Sequence, residues 1–266
     1  MKTVLFLLAC LGFMSVSFAE DWDSDSESDS KDTKEEDANY KVTDEAWFDI
    51  EIKDYPEEGE DYKGRFTIGL FGDVCPMTIL NFKSLVQGFK RGKKTLTYRK
   101  SPIHRIVRDF IIQMGDSYNR RRDRSLEVKK ASSYRENSHR NGCVPRNEQH
   151  SEVRPGESIF GAKFGDENHI ISHKAAGYVS MANHGPDSNG SQFFITLLKT
   201  RWLDGKHVAF GKVVSGMDVV RTLGEVPANA NTAVPKNSIR IIDCGLNTVS
   251  KPYTLKKKEA ESDDDL

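Results

Sequence analysis

The sequence predicts a mainly β domain, a closed barrel with its ends covered by helices, on two observations. Short apolar runs of strand length recur between residues 45 and 249, separated by turn-forming clusters such as GPDSNG and WLDG. Only two segments in that span switch to a three- and four-residue period. Many short strands avoid exposed edges by closing on themselves, and isolated amphipathic helices then cover the open ends.

Ahead of that domain the chain has two segments of other kinds. Lys2 precedes an apolar run over 4–18, with small Ser17 and Ala19 near its end, which predicts a cleaved signal peptide over 1–19. The run is about 15 residues, where roughly 20 are needed to span a bilayer. The expected destination is the secretory pathway, either the endoplasmic reticulum lumen or the cell exterior, with no membrane span. The acidic leader over 20–44 follows. Its part at 20–38 holds ten acids, two lysines and one large apolar side chain, Trp22. Such a segment cannot bury enough apolar surface to offset its ordering entropy, so disorder is expected.

Within the domain, AWFDIEI and GRFTIGLFG alternate apolar with polar residues and predict two antiparallel strands. In CPMTILNFKSLVQGF, residues Ile79, Phe82, Val86 and Phe89 recur at helical steps and Pro76 suits a first turn, which predicts a helix. Further strands are expected over 103–107, 110–113, 178–181, 193–197 and 207–213. A second helix is expected over 217–223, stopped by Gly224. The run SIRIIDCG supplies the closing strand, and a charged flexible tail is expected over 250–266. The last four residues, DDDL, only loosely resemble a lysine-aspartate-glutamate-leucine retrieval signal.

The net charge of −1 hides segregation. Residues 117–155 carry ten Lys or Arg against five acids, including Arg120, Arg121 and Arg122, and read as an exposed loop. Of the four cysteines, Cys10 lies in the signal segment, leaving Cys75, Cys143 and Cys244. Their spacing matches no metal motif. One disulfide plus one free thiol suits an oxidising compartment, and barrel closure makes Cys75 with Cys244 the expected pair.

The stretch IHRIVRDFIIQMGD, residues 103–116, places Arg105 among strand-forming apolar residues. A guanidinium there needs a partner. Two readings stand: an internal ion pair with Asp109 or Asp116, or a polar ligand held at the edge of the sheet.

IHRI, F-x-x-Q-x-GD, SIFGAKFGDEN, SMANHGPDSNGSQFFI and WLDGKHVAFGKV occur in this order. Together they resemble the cyclophilin family of peptidyl-prolyl isomerases, over about 45–249 with the basic segment as an insertion. The resemblance implies an eight-stranded antiparallel barrel capped by two α-helices, with the active site in a groove on its outside. It puts the catalytic arginine at Arg105, beside His104. It puts the proline pocket at Phe110, Phe194, Leu203 and His207, with Met181 nearby. Polar contacts to the substrate backbone fall on Gln113, Ala182, Asn183 and Gln192. Trp202 matches the tryptophan associated with cyclosporin, the expected inhibitor. No cofactor and no metal are implied, and a monomer is expected.

The chemistry agrees with these assignments. Rotation about an X-Pro bond meets a barrier of about 18–20 kcal/mol because the twisted amide loses resonance. The prolyl nitrogen gains a lone pair as it twists, so a fixed donor aimed at it binds the transition state better than either planar isomer. Arginine serves without titrating. No proton is transferred, so His104 and His207 read as pocket walls rather than acid, base or ligand. The sequon Asn189-Gly190-Ser191 lies in a tight turn, and no glycan is expected there.

The chain departs from the family pattern in three places. The insertion replaces the usual loop, so no equivalent of the groove-lining glycine is assigned. Ile111 stands where methionine is common, and His184 replaces a small residue beside the neighbouring pocket; both bear on substrate preference. The function expected is isomerisation of proline-containing client chains during folding. The rival is a binding module that uses 117–155 to dock on polyanions. Tyr118 and Tyr134 are the insertion's only aromatics, which disfavours base stacking.

Overall fold

The computed structural model describes residues 40–117 and 156–255. The signal segment, the leader through residue 39, residues 118–155 with Cys143, and the tail from residue 256 lie outside the described residues. Among the described residues no helix is long and apolar enough to cross a membrane.

A short strand β1 (Lys41–Val42) leads into β2 (Asp44–Ile52) and β3 (Tyr62–Leu70), which pair antiparallel along their whole length from Asp44 opposite Leu70 to Ile52 opposite Tyr62. The alternation in AWFDIEI is realised: Ala46, Phe48, Ile50 and Ile52 are fully buried while Trp47, Asp49 and Glu51 face partly outward. Helix α1 (Pro76–Gln87) then buries Ile79, Phe82, Leu85 and Val86. The Glu167 carboxylate accepts hydrogen bonds from the Met77 and Thr78 amides at 2.8 Å each, placing negative charge on the helix's unsatisfied N-terminal donors.

After a hairpin of β4 (Phe89–Arg91) and β5 (Lys94–Leu96) come β6 (Arg105–Val107), β7 (Ile111–Met114), β8 (Tyr178–Met181) and β9 (Phe193–Thr196). A 3-10 turn at Arg201–Leu203 precedes β10 (Ala209–Ser215), α2 (Met217–Glu225), β11 (Ile239–Asn247) and β12 (Tyr253–Thr254). Gly216 enters α2 at φ +77, and a Cβ there would lie 2.3 Å from the Arg65 carbonyl oxygen, so glycine is required. Gly224 does not stop α2, as expected from the sequence, but sits inside it. A Cβ at 224 would come 2.8 Å from Leu197 Cδ1, so the residue serves close packing rather than termination.

Eight strands form one antiparallel sheet in the order β11-β2-β3-β10-β8-β9-β7-β6. The expected closed barrel is corrected here: β11 and β6 are edges of a curled, open sheet. Among the described residues the gap is crossed by a bridge between Pro102 and Arg240, with hydrogen bonds from Ile103 N to Ile239 O (3.1 Å), Ile241 N to Ser101 O (3.0 Å) and Lys100 N to Ile241 O (2.7 Å). Pro102 sits at the non-hydrogen-bonded position of this bridge, where its missing N–H removes no bond across the seam. Strand pairing also extends beyond the expected 45–249 span, because Lys41 and Val42 pair with Thr254 and Tyr253.

The concave interior is filled by aromatic rings. Phe82 is at the centre, with ring centroids 4.9 Å from Phe210, 5.1 Å from Phe193, 5.3 Å from Tyr98 and 5.9 Å from Phe48. Rings at these distances pack the interior with side chains, as in small barrels.

The expected Cys75–Cys244 disulfide is absent; both residues are buried free thiols. Cys75 caps the start of α1, and its Sγ donates to the Ala209 carbonyl at 3.4 Å. Cys244 Sγ donates to the carbonyl of Val86, near the other end of that helix, at 3.5 Å. Eleven residues of helix at a rise of about 1.5 Å put these contacts on the order of 16 Å apart, beyond the reach of a disulfide.

Candidate active site

The period of a strand divides β7 between two environments. Ile112 and Met114 join the interior core, whereas Ile111 packs on the outer face. The register carries this across the sheet: Arg105 lies opposite Gln113, Gln113 opposite Phe194, and Phe194 opposite Ser180. Four strands thus set a guanidinium, an amide, a phenyl ring and a hydroxyl in one row on one face.

Two groups of side chains meet along that row. The polar group is a chain of hydrogen bonds in which Arg105 Nη1 donates to Gln113 Oε1 at 3.4 Å and Gln113 Nε2 donates to Gln192 Oε1 at 2.8 Å. Among the described residues Arg105 makes no ion pair; Asp109 lies 3.8 Å from its exposed neighbour Arg108 instead. The internal-pair reading with Asp109 is therefore excluded. The apolar group is a small cluster separate from the interior core: Ile111, Ala182 and Phe194, with Val107, Phe110 and Leu203 packed against them. Phe110 stacks on Trp202 at 5.8 Å and 25°, and Trp202 is 56% exposed.

His207 meets the Phe194 ring edge-on at 5.2 Å, and its Nδ1 donates to the Met181 carbonyl at 3.0 Å. Met181 itself points inward and is fully buried in the main core, so it touches this site through its backbone alone. That corrects its expected place in the groove; the pairing of Met181 with inward-facing Phe193 fixes its direction. Asn183 Nδ2 donates to the Lys206 carbonyl at 2.8 Å, tying the rim turn to the loop before His207. The Ala182 amide donates to Gln192 O at 2.9 Å. His184 is exposed on the turn, where its amide is held by Ser188 Oγ at 2.8 Å.

His104 lies beside Arg105 with both ring nitrogens buried. They sit near the Gln192 side chain and Pro102 backbone without closing a hydrogen bond of ordinary geometry. Burial lowers the His104 pKa despite the opposing charge of Asp116. Burial likewise lowers His207, against the pull of the Met181 carbonyl. In both rings burial favours the neutral form.

Sequence reasoning missed three residues behind the groove: His173, Ser180 and Asp204. His173 is fully buried and stacks on Phe194 at 6.2 Å and 15°. Its Nδ1 donates to Asp204 Oδ1 at 2.6 Å, and its Nε2 lies 2.6 Å from Ser180 Oγ. The available signal is a His and an Asp near the groove motifs, but within WLDG the sequence marks the Asp only as a turn former. The sequon Asn189 is fully buried and donates to Asp166 Oδ1 at 2.7 Å, which leaves its amide inaccessible to a glycan.

Residues 48–246 match the family described as cyclophilin type peptidyl-prolyl cis-trans isomerase/CLD. The chain is 37% identical over 211 residues to peptidyl-prolyl cis-trans isomerase CYP21-1 of Arabidopsis thaliana, covering 78% of this chain and 77% of that relative. An outward arginine tethered by glutamine beside an apolar pocket, on a curled eight-stranded sheet, fits that match, and the chain belongs to the cyclophilin-type peptidyl-prolyl cis-trans isomerase family.

Proposed function

We propose that the protein isomerises X-Pro bonds of client chains in the secretory pathway, with Arg105 as the group that stabilises the twisted amide. The observation that carries this reading is the Arg105–Gln113–Gln192 chain running beside the apolar cluster of Phe110, Phe194 and Leu203. The prolyl ring fills the apolar cluster and its nitrogen turns toward the guanidinium. A hydrogen bond from a charged donor contributes about 1.5–3 kcal/mol. Each tenfold in rate needs about 1.4 kcal/mol, so Arg105 accounts for roughly ten- to hundredfold. The remainder comes from holding the substrate backbone, for which Gln113, Asn183, Gln192 and the Ala182 backbone are available, and from excluding water with Trp202 and His207.

The secretory assignment rests on Lys2, the apolar run over 4–18 and Ala19. Residues 45–249 form the isomerase unit, and the chain acts as a monomer on extended proline-containing polypeptides. A protease-coupled assay on the chain from residue 20 onward tests the reading. Arg105→Ala lowers kcat/KM at least tenfold with unchanged circular dichroism; full activity in that variant refutes the role of Arg105.

A second reading, polyanion binding, is favoured by the charge of 117–155 and by where its flanks are held. Ser117 Oγ donates to Glu157 O at 3.0 Å, and the Ser117 amide donates to Ser191 Oγ at 3.1 Å, next to Gln192. A basic segment leaving from the groove rim raises the local concentration of acidic chains, an effect screened by salt. Heparin retention that vanishes when 120–124 are deleted supports it; unchanged elution removes it.

A further inference from the structure

Behind the groove, a hydrogen-bonded chain, buried at His173 and Ser180 and partly exposed at Asp204, joins three parts of the fold. Asp204 follows the 3-10 turn that carries Trp202 and Leu203. Its Oδ1 accepts from the His173 amide at 2.9 Å and from His173 Nδ1 at 2.6 Å, and its Oδ2 accepts from Ser172 Oγ. The His173 carbonyl in turn accepts from the Thr200 amide at 3.0 Å. On its other side, His173 Nε2 meets Ser180 Oγ on β8 at 2.6 Å.

The order of atoms from Ser180 to His173 to Asp204 is that of a hydrolytic triad. Ser180 and His173 are both fully buried, however, so no acyl group reaches the hydroxyl. The chain has another use. A carboxylate can only accept, so Nδ1 carries the proton and Nε2 accepts from the Ser180 hydroxyl. One neutral tautomer satisfies all the groups at once. The ring also backs Phe194, whose edge contact with His207 leaves the phenyl held between two imidazoles.

We infer that His173 is a positioning residue for the isomerase groove: its ring ties the turn carrying Trp202 and Leu203 to β8 and sets the plane of Phe194. It shapes the proline pocket without touching substrate. This rests on the reading of the groove as the isomerase site. Loss of the bond to Ser180 leaves a buried hydroxyl unsatisfied, and loss of the bond to Asp204 frees the turn.

The full chain with His173→Phe, Asp204→Ala and Asp204→Asn tests the inference. His173→Phe keeps a flat ring against Phe194 but makes neither hydrogen bond. Its kcat/KM falls at least tenfold, mainly through a raised KM, and Trp202 becomes more accessible to acrylamide, measured as the difference from a Trp202→Phe background. Asp204→Ala reproduces both effects and carries the test if His173→Phe does not fold. Asp204→Asn keeps an acceptor for the His173 amide and Nδ1, and it stays within threefold of wild type. Wild-type kcat/KM and quenching in His173→Phe or in Asp204→Ala overturn the inference, as does an Nε2–H tautomer for His173 in imidazole 15N spectra of the wild type. Quenching and tautomer are read without turnover, so a chain inactive as an isomerase leaves them able to decide.

Discussion

Arg105 and Gln113 face each other across the β6–β7 ladder, and the guanidinium donates to the amide oxygen at 3.4 Å. Gln113 is in turn fixed by its 2.8 Å bond to Gln192. An arginine has many rotamers, and this chain restricts them without neutralising the charge, as an acidic partner would.

Gln113→Leu therefore keeps the shape of the groove and removes the tether. The expected result is a fall in kcat/KM of about ten- to hundredfold, the loss of one hydrogen bond to a charged group. Steady-state kinetics on a prolyl tetrapeptide measures it, and a loss smaller than threefold would show that the tether is dispensable.

Cyclosporin should inhibit, and should change the emission of Trp202, which is half exposed and stacked on Phe110. A fluorescence titration of wild type beside Trp202→Phe isolates the signal. Neither inhibition nor a spectral change at saturating drug would mean that the groove is obstructed.

Neither Cys75 nor Cys244 should be found in a disulfide with the other, nor should either react readily with maleimide at neutral pH. Burial pushes both thiols up to about 12, so the reactive thiolate is scarce. Peptide mapping without reduction, and labelling followed by mass spectrometry, check both points. A linked Cys75–Cys244 peptide from folded protein would contradict the spacing imposed by α1.

Stability should fall as the solution is acidified. His104, His173 and His207 have pKa values lowered from 6.5 in the folded chain, chiefly by burial. Below that value the unfolded chain binds more protons than the folded one, so the unfolding free energy decreases as pH drops through it and continues down to the folded values. Asp204 adds to this at lower pH. Burial alone would raise it, but the bonds from Ser172 and His173 outweigh burial and hold it low. Denaturant midpoints from about pH 7.5 to about pH 5.5 test the sign; a midpoint that rises on acidification refutes it.

Phe82→Ala should destabilise the fold by about 3–5 kcal/mol, the range for a buried phenylalanine whose site cannot collapse. Four aromatic rings lie within 6 Å of it, and the helix and the sheet both depend on that contact. Urea unfolding measures the change, and a loss below about 1.5 kcal/mol would indicate that the cluster repacks.

Local chemistry made much of this protein legible in the sequence. The alternation of Ala46, Phe48, Ile50 and Ile52 reports a half-buried strand because side chains there change face at every step. The steps between Ile79, Phe82 and Val86 report a helix for the corresponding reason. Arg105, Gln113, Gln192, Phe194 and Trp202 were legible through the motifs that resemble the cyclophilin family, not through periodicity or spacing. Tertiary structure alone decided what those patterns meet. Periodicity says that a residue is buried, not which distant group it touches. Asp204 read as a turn former until the fold brought it to His173, 31 positions earlier. Cys75 and Cys244 looked like a pair until α1 was found lying between their contacts. Gly224 looked like a stop signal until Leu197 was found packed on it. The open seam obeys the same rule, since whether the edges β6 and β11 run alongside each other is a matter of where distant strands lie, which no local pattern reports.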